Sequence, residues 1–147
     1  MNKPQSIYKS PDVEGKLMAI YDERLEQWPV SHEIIYVDTS YGKVHVIASE
    51  SREAPPVLLL HASCLSSWSW IYNVEELSKH YRVYAIDTIG DAGKSVLNDL
   101  DNYPQDGKAL SDLYIEISDK LGAQHAYVVG ASQGGIYCNE LCPNAPE

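Results

Sequence analysis

The chain reads as an α/β protein with a mostly parallel sheet and helices on its faces. Three observations lead there. Short aliphatic runs, Val57-Leu58-Leu59-Leu60, Val83-Tyr84-Ala85-Ile86 and Ala126-Tyr127-Val128-Val129, have the composition of strands buried on both faces. Helix-compatible segments separate them, so each strand is joined to the next by a crossover. Two further runs with a turn between them precede this block and read as an antiparallel hairpin.

In chain order, Ser10-Pro11-Asp12 opens a helix: a capping serine, proline at the first helical position, then an acid. Val13, Leu17, Ile20, Tyr21, Leu25 and Trp28 recur at helical spacing, predicting an amphipathic helix that ends before Pro29. Residues 1–30 are therefore read as a helical extension and 31–147 as the core. Glu33 to Asp38 and Lys43 to Ala48 are the hairpin strands, with Thr39-Ser40-Tyr41-Gly42 as the turn. Pro55-Pro56 leads into the third strand, Val57 to Leu60. A Ser/Trp-rich loop and a short helix near Val74 to His80 follow, then the fourth strand, Val83 to Ile86, and a glycine-containing loop from Gly90 to Ser95. Leu110, Leu113, Tyr114, Ile117 and Leu121 predict a helix from Asp106 to Leu121 closed by Gly122, and Ala126 to Val129 is the fifth strand.

With 147 residues, 44% of them hydrophobic, the chain is one domain with enough apolar residues for a core. Its net charge of −10 argues against a nucleic-acid partner, since phosphate binding needs clustered lysine and arginine. No apolar segment follows Met1, and Val57 to Leu60 is far too short to cross a bilayer, so a cytoplasmic protein without a membrane partner is expected. Cys64, Cys138 and Cys142 form no disulfide framework. Cys138 and Cys142 share a helix face, but no further Cys or His lies nearby in sequence to complete a zinc site, so no metal is expected. Gly90 and Gly93 are too close for a phosphate-binding loop, and Asp91 would repel a phosphate. No cofactor is expected.

The most informative stretch is the last strand running into Gly130-Ala131-Ser132-Gln133-Gly134-Gly135. A strand, Gly-x-Ser-x-Gly and a helix make the pattern of a nucleophile elbow, which holds a serine hydroxyl at the top of a sheet. The small residues let the chain turn that sharply without side-chain collisions. His61-Ala62-Ser63-Cys64 follows the third strand and Asp87-Thr88-Ile89-Gly90-Asp91-Ala92-Gly93-Lys94-Ser95 the fourth.

In this order and spacing, the three motifs resemble the α/β-hydrolase fold family over roughly residues 33–147, as the N-terminal half of that fold. The resemblance implies a strand order of first, second, fourth, third, fifth, with the two helices on opposite faces. It implies Ser132 as nucleophile, elbow glycines at Gly130 and Gly134, and an oxyanion hole from the backbone N–H groups of Gln133 and Ser63. A serine at this position implies carboxylic ester hydrolysis through an acyl-enzyme, and disfavours the aspartate-nucleophile epoxide hydrolases and haloalkane dehalogenases.

Several departures stand out. Ala62 occupies a position where the family usually has glycine, which would distort the hole if that position needs positive φ. The family's acid and catalytic histidine follow later strands and are absent from this chain. His61 is read as packing its loop, and no triad can be written from His32, His45, His80 or His125. Asn139, Glu140 and Pro143 fit the usually apolar helix behind the nucleophile poorly, and Pro146-Glu147 resembles its usual ending. The expected partner is a small-molecule ester or acyl substrate of the complete protein, with little or no turnover by this chain alone. The alternative is a non-catalytic truncated remnant. Lacking a further strand, the fifth strand would form an exposed edge open to self-association, leaving the chain oligomeric, aggregated or molten.

Overall fold

The computed structural model describes residues 6–49 and 51–142. Helix α1 (Pro11–Glu26) starts as its sequence dictates: the Ser10 side chain accepts from the Val13 N–H, and Pro11 fills the first turn. Strands β1 (His32–Asp38) and β2 (Gly42–Ser49) follow as an antiparallel hairpin, with Asp38 opposite Lys43. Next come β3 (Pro56–Leu60), a 3₁₀ turn (Ser67–Trp70), α2 (Val74–Leu77) and β4 (Arg82–Ile86). The remainder comprises β5 (Val96–Leu97), α3 (Gly107–Lys120), β6 (Tyr127–Gly130) and α4 (Gln133–Leu141). In α3 the Asp106 carboxylate accepts from the Ala109 N–H, and Gly122 past its end takes φ +70°.

The sheet order is β1-β2-β4-β3-β6, the order the resemblance implies, with β6 as the fifth long strand. Strand β2 runs against both its neighbours, while β3 pairs in parallel with β4 and β6. The two-residue β5, pairing with β2, was not expected; two residues carry no readable alternation.

Alternation along the central strands divides the core into two layers. Leu58 and Leu60 pack with Val46, Ile86 and the α3 residues Leu110, Leu113, Tyr114 and Ile117. Val57 and Leu59 point the other way, toward Val74 of α2 and Trp28. Burying each such side chain stabilises the fold by ~1.5–3 kcal/mol, which explains why the central strands read as unbroken aliphatic runs. The two helices thus cover opposite faces, as expected.

Two elements differ from the sequence-based expectation. Helix α2 is only four residues, because Lys79 and His80 continue as turn rather than helix. In α1 the predicted apolar face is only partly used. Tyr21 and, beyond the helix end, Trp28 are buried, but Val13, Leu17 and Ile20 are exposed. The reason lies in the next layer of structure, where Tyr21 is held by polar contacts rather than by an apolar stripe.

Candidate active site

Three loops meet because three parallel strands end level. Leu60 is paired with both Ile86 and Gly130, so the chains leaving β3, β4 and β6 emerge side by side at one edge of the sheet. Adjacent strands lie ~4.8 Å apart, which brings residues some 70 positions apart in sequence within reach. Ligands of open α/β sheets bind at this end.

Ser132 sits at the turn from β6 into α4 with φ 54° and ψ −114°. Only Ser132 and Cys64 among the described non-glycine residues have positive φ. The turn is tight because the flanking glycines allow it: a Cβ on Gly130 would lie 2.2 Å from the Gly134 carbonyl. A Cβ on Gly134 would lie 2.2 Å from the Leu60 carbonyl oxygen. The Ala131 N–H donates to that same Leu60 oxygen at 3.0 Å, tying the elbow to the end of β3. Ser132 itself is exposed.

Ser63 and Gln133 face each other across this turn, and the Ser63 hydroxyl donates to the Gln133 side-chain oxygen. Among the described residues, neither the Ser63 N–H nor the Gln133 N–H has a hydrogen-bond acceptor. The peptide planes on both sides of Ser63 are fixed. On one side, the Ala62 carbonyl accepts from the Leu65 N–H at 3.2 Å and from His61 Nδ1 at 2.8 Å. On the other, the Cys64 N–H meets both oxygens of Asp91, at 3.0 and 3.1 Å. Ala62 does not need glycine's freedom: the left-handed residue of this loop is Cys64, at φ 62°.

His61 is buried, and its Nε2 accepts from the Thr88 N–H at 3.0 Å, leaving the ring proton on Nδ1 to reach the Ala62 carbonyl. With both nitrogens engaged it packs the loop. His45 is also buried, with Nδ1 3.0 Å from Asp87. No hydrogen bond joins Ser132 to a histidine among the described residues.

Sequence reasoning passed over the buried polar cluster under these loops. Asp87 is fully buried and accepts from Ser67 N–H and Oγ, both at 2.7 Å, from Lys94 N–H at 2.9 Å and from the Tyr21 hydroxyl at 3.0 Å. Burial opposes its ionisation, but His45, then the backbone groups of Lys94 and Ser67, outweigh burial and hold its pKa below the usual carboxylate value. Burial and the Asp87 charge push the Tyr21 pKa up. Lys94, the lysine of the discarded phosphate-loop reading, pairs with Asp22 of α1. Tyr8 OH donates to the Gly93 carbonyl at 3.0 Å, so the segment before α1 is also fastened to this loop. The signal available in sequence was weak: a tyrosine on an otherwise apolar helical stripe.

Trp68 and Trp70 pack against the layer containing Trp28 and Leu59. Cys138 and Cys142 are free thiols, and no cluster of three metal-ligating side chains forms among the described residues. Helix α4 ends at Leu141 with Cys142 as its cap, and its Asn139 and Glu140 are exposed; Pro143 to Glu147 lie outside the described residues. No helix among the described residues is long and apolar enough to cross a membrane.

Comparison with known proteins identifies the family and the fold. The family model described as alpha/beta hydrolase fold matches residues 55–147. The chain is 34% identical over 146 residues to "Uncharacterized carboxylesterase nap" of Bacillus subtilis, covering 99% of this chain and 48% of that protein. It is 36% identical to "Carboxylesterase YbfK" of the same organism, over 86% of this chain and 42% of the relative. The crystal structure of carboxylesterase CesB (YbfK) superposes with a TM-score of 0.85 at 33% identity, over 92% of this chain and 47% of that one. The chain thus spans about half the length of the curated relatives it matches. Its matched family model, its relatives and its fold place it in one group: the chain belongs to the alpha/beta hydrolase fold family.

Proposed function

We propose that this segment carries the nucleophile and oxyanion hole of a serine hydrolase acting on carboxylic esters. Ser132 is the nucleophile, and the N–H groups of Ser63 and Gln133 are the oxyanion donors. The observation that carries this reading is the pairing of Ser132 at φ 54° with two neighbouring N–H groups that have no acceptor among the described residues. The Ser132 oxygen adds to the ester carbonyl, the alkoxide leaves, and water later releases the acid from the acyl-enzyme. The negative oxygen of each tetrahedral intermediate meets the two N–H groups, one of them at the positive end of α4. Losing one such donor typically costs ~3–4 kcal/mol of transition-state stabilisation.

The base is the missing partner. His61 and His45 are committed to Thr88 and Asp87, so the proton of Ser132 needs a histidine and an acid from chain outside these 147 residues. The names of the relatives support the ester as substrate class, since both are carboxylesterases. The test is fluorophosphonate labelling together with p-nitrophenyl acetate hydrolysis. A longer protein that completes the fold should label at Ser132 and turn over, and Ser132→Ala should abolish both. The 147-residue chain alone should stay within the ~10³-fold over water that a hole without a triad supplies. If the completed protein fails to label, the site is a non-catalytic remnant of the family.

A further inference from the structure

We propose, building on the hydrolase reading above, that Asp91 is a positioning residue whose carboxylate fixes the peptide unit after Ser63 and so holds the loop that presents the Ser63 N–H to the oxyanion hole. Ser63, Cys64 and Leu65 are all exposed at the tip of the loop after β3, so apolar packing does not hold them. Cys64 adds strain, because its φ of 62° is a left-handed conformation that non-glycine residues rarely adopt. An exposed, strained tip would relax unless something held it.

What holds it comes from the neighbouring loop. The segment after β4 grips the segment after β3 at three places. Thr88 N–H meets His61 Nε2 at the near end, and Asp87 meets the Ser67 N–H and hydroxyl at the far end. Asp91 reaches the tip between them. Both its oxygens lie within 3.1 Å of the Cys64 nitrogen, and Oδ1 also takes the Ala92 N–H at 2.8 Å. A peptide unit is planar, so its two polar groups point in opposite directions and fixing one fixes the other. The Ala62 carbonyl, held by Leu65 N–H and His61, sets the unit that contains the Ser63 N–H. Asp91 sets the next unit through the Cys64 N–H. Together they lock both planes that flank the Ser63 Cα, and Asp91 is the side chain that locks the second.

A carboxylate is an odd choice beside a site where negative charge develops. Its charge opposes the oxyanion, although three N–H contacts partly spend it. Asp91 therefore acts through geometry rather than charge, and that makes the role separable. Asparagine keeps an acceptor oxygen for the Cys64 N–H without the charge, whereas alanine removes the acceptor.

The experiment compares the unsubstituted protein, Asp91→Asn and Asp91→Ala in the longer protein that completes the fold, by p-nitrophenyl acetate kinetics and residue-resolved amide exchange. Asp91→Ala should lower kcat by ~10- to 100-fold with KM within ~2-fold, as expected for a displaced rather than deleted donor. Its Cys64 amide should exchange faster. Asp91→Asn should restore both readouts. Unchanged kcat in Asp91→Ala, a loss expressed in KM alone, or failure of Asp91→Asn to rescue overturns the proposal. If the unsubstituted protein does not turn over, the hydrolase reading falls, and amide exchange alone decides. Equal Cys64 exchange in all three proteins then refutes the clamp, and fast exchange confined to Asp91→Ala supports it.

Discussion

Neutralising Asp87 should destabilise the protein substantially, although no part of Asp87 touches solvent or the candidate nucleophile. Its side chain takes five donors, from Ser67 (twice), Lys94, Tyr21 and His45. In Asp87→Asn, the remaining oxygen can keep both Ser67 bonds. The amide nitrogen then faces the Lys94 N–H, Tyr21 and His45. Tyr21 can turn its hydroxyl and His45 can move its proton, but a backbone N–H cannot adapt. One orphaned buried donor costs ~1–3 kcal/mol, and two bonds that lose their charge assistance forfeit about 1 kcal/mol each, so the expected loss is ~3–5 kcal/mol. Acid should produce the same effect in the unsubstituted protein. The folded-state pKa of Asp87 lies below its ordinary value, so its contribution is complete above the unfolded-state pKa near ~3.9. The contribution is lost as pH falls below about 4, through the lower folded value. Urea titrations followed by tryptophan fluorescence, from pH 7 to pH 3 at one low protein concentration, measure both. The exposed carboxylates contribute equally to the two profiles and cancel in the comparison. A loss below ~1 kcal/mol in Asp87→Asn at pH 7, or parallel acid profiles for the two proteins, would refute the assignment of Asp87 as the hub.

Two further outcomes follow from backbone geometry. Ser132→Gly should stabilise the protein by ~1–2 kcal/mol in the same urea assay, because glycine tolerates φ 54° while Ser132→Ala keeps the strain. No gain in Ser132→Gly would mean the elbow is not strained. Strand β6 pairs only with β3 among the described residues, and Tyr127, Val129 and Ile136 are exposed beside it, so the 147-residue chain should associate with increasing concentration. Val129→Lys should weaken that association in a light-scattering dilution series. A monodisperse monomer with a sharp thermal transition at all concentrations would overturn the expectation.

The fold was legible wherever burial on two faces forced composition. Val57 to Leu60 and Val83 to Ile86 have no polar alternative, because both core layers draw on them. Helix α3 was legible because Asp106 caps it and its stripe is buried. Strand order was different: aliphatic runs say that strands are central but not which neighbours they take, and it came from the family resemblance. The face of α1 misled because periodicity reports only that residues align. Leu17 and Ile20 align with Tyr21, yet it is Tyr21, through Asp87 and Ser67, that the core holds.

At the site, sequence showed the residues whose type is demanded by backbone shape and missed those demanded by a partner. Gly130 and Gly134 are fixed by contacts of 2.2 Å that any Cβ would make, and such demands leave a local pattern. Asp87, Tyr21 and His45 answer to one another across 24 to 66 positions, and no local pattern records that. Yet the two groups depend on each other. A serine held at φ 54° and a cysteine at φ 62° persist only where surrounding bonds outweigh the strain. At Cys64 those bonds come from Asp91, with Asp87 anchoring the far end of the same loop through Ser67, while the elbow is tied to β3 by the Ala131 N–H. The loop that faces the legible elbow therefore rests on an illegible frame, and substitutions in that frame should disturb the site without touching any residue of the elbow motif.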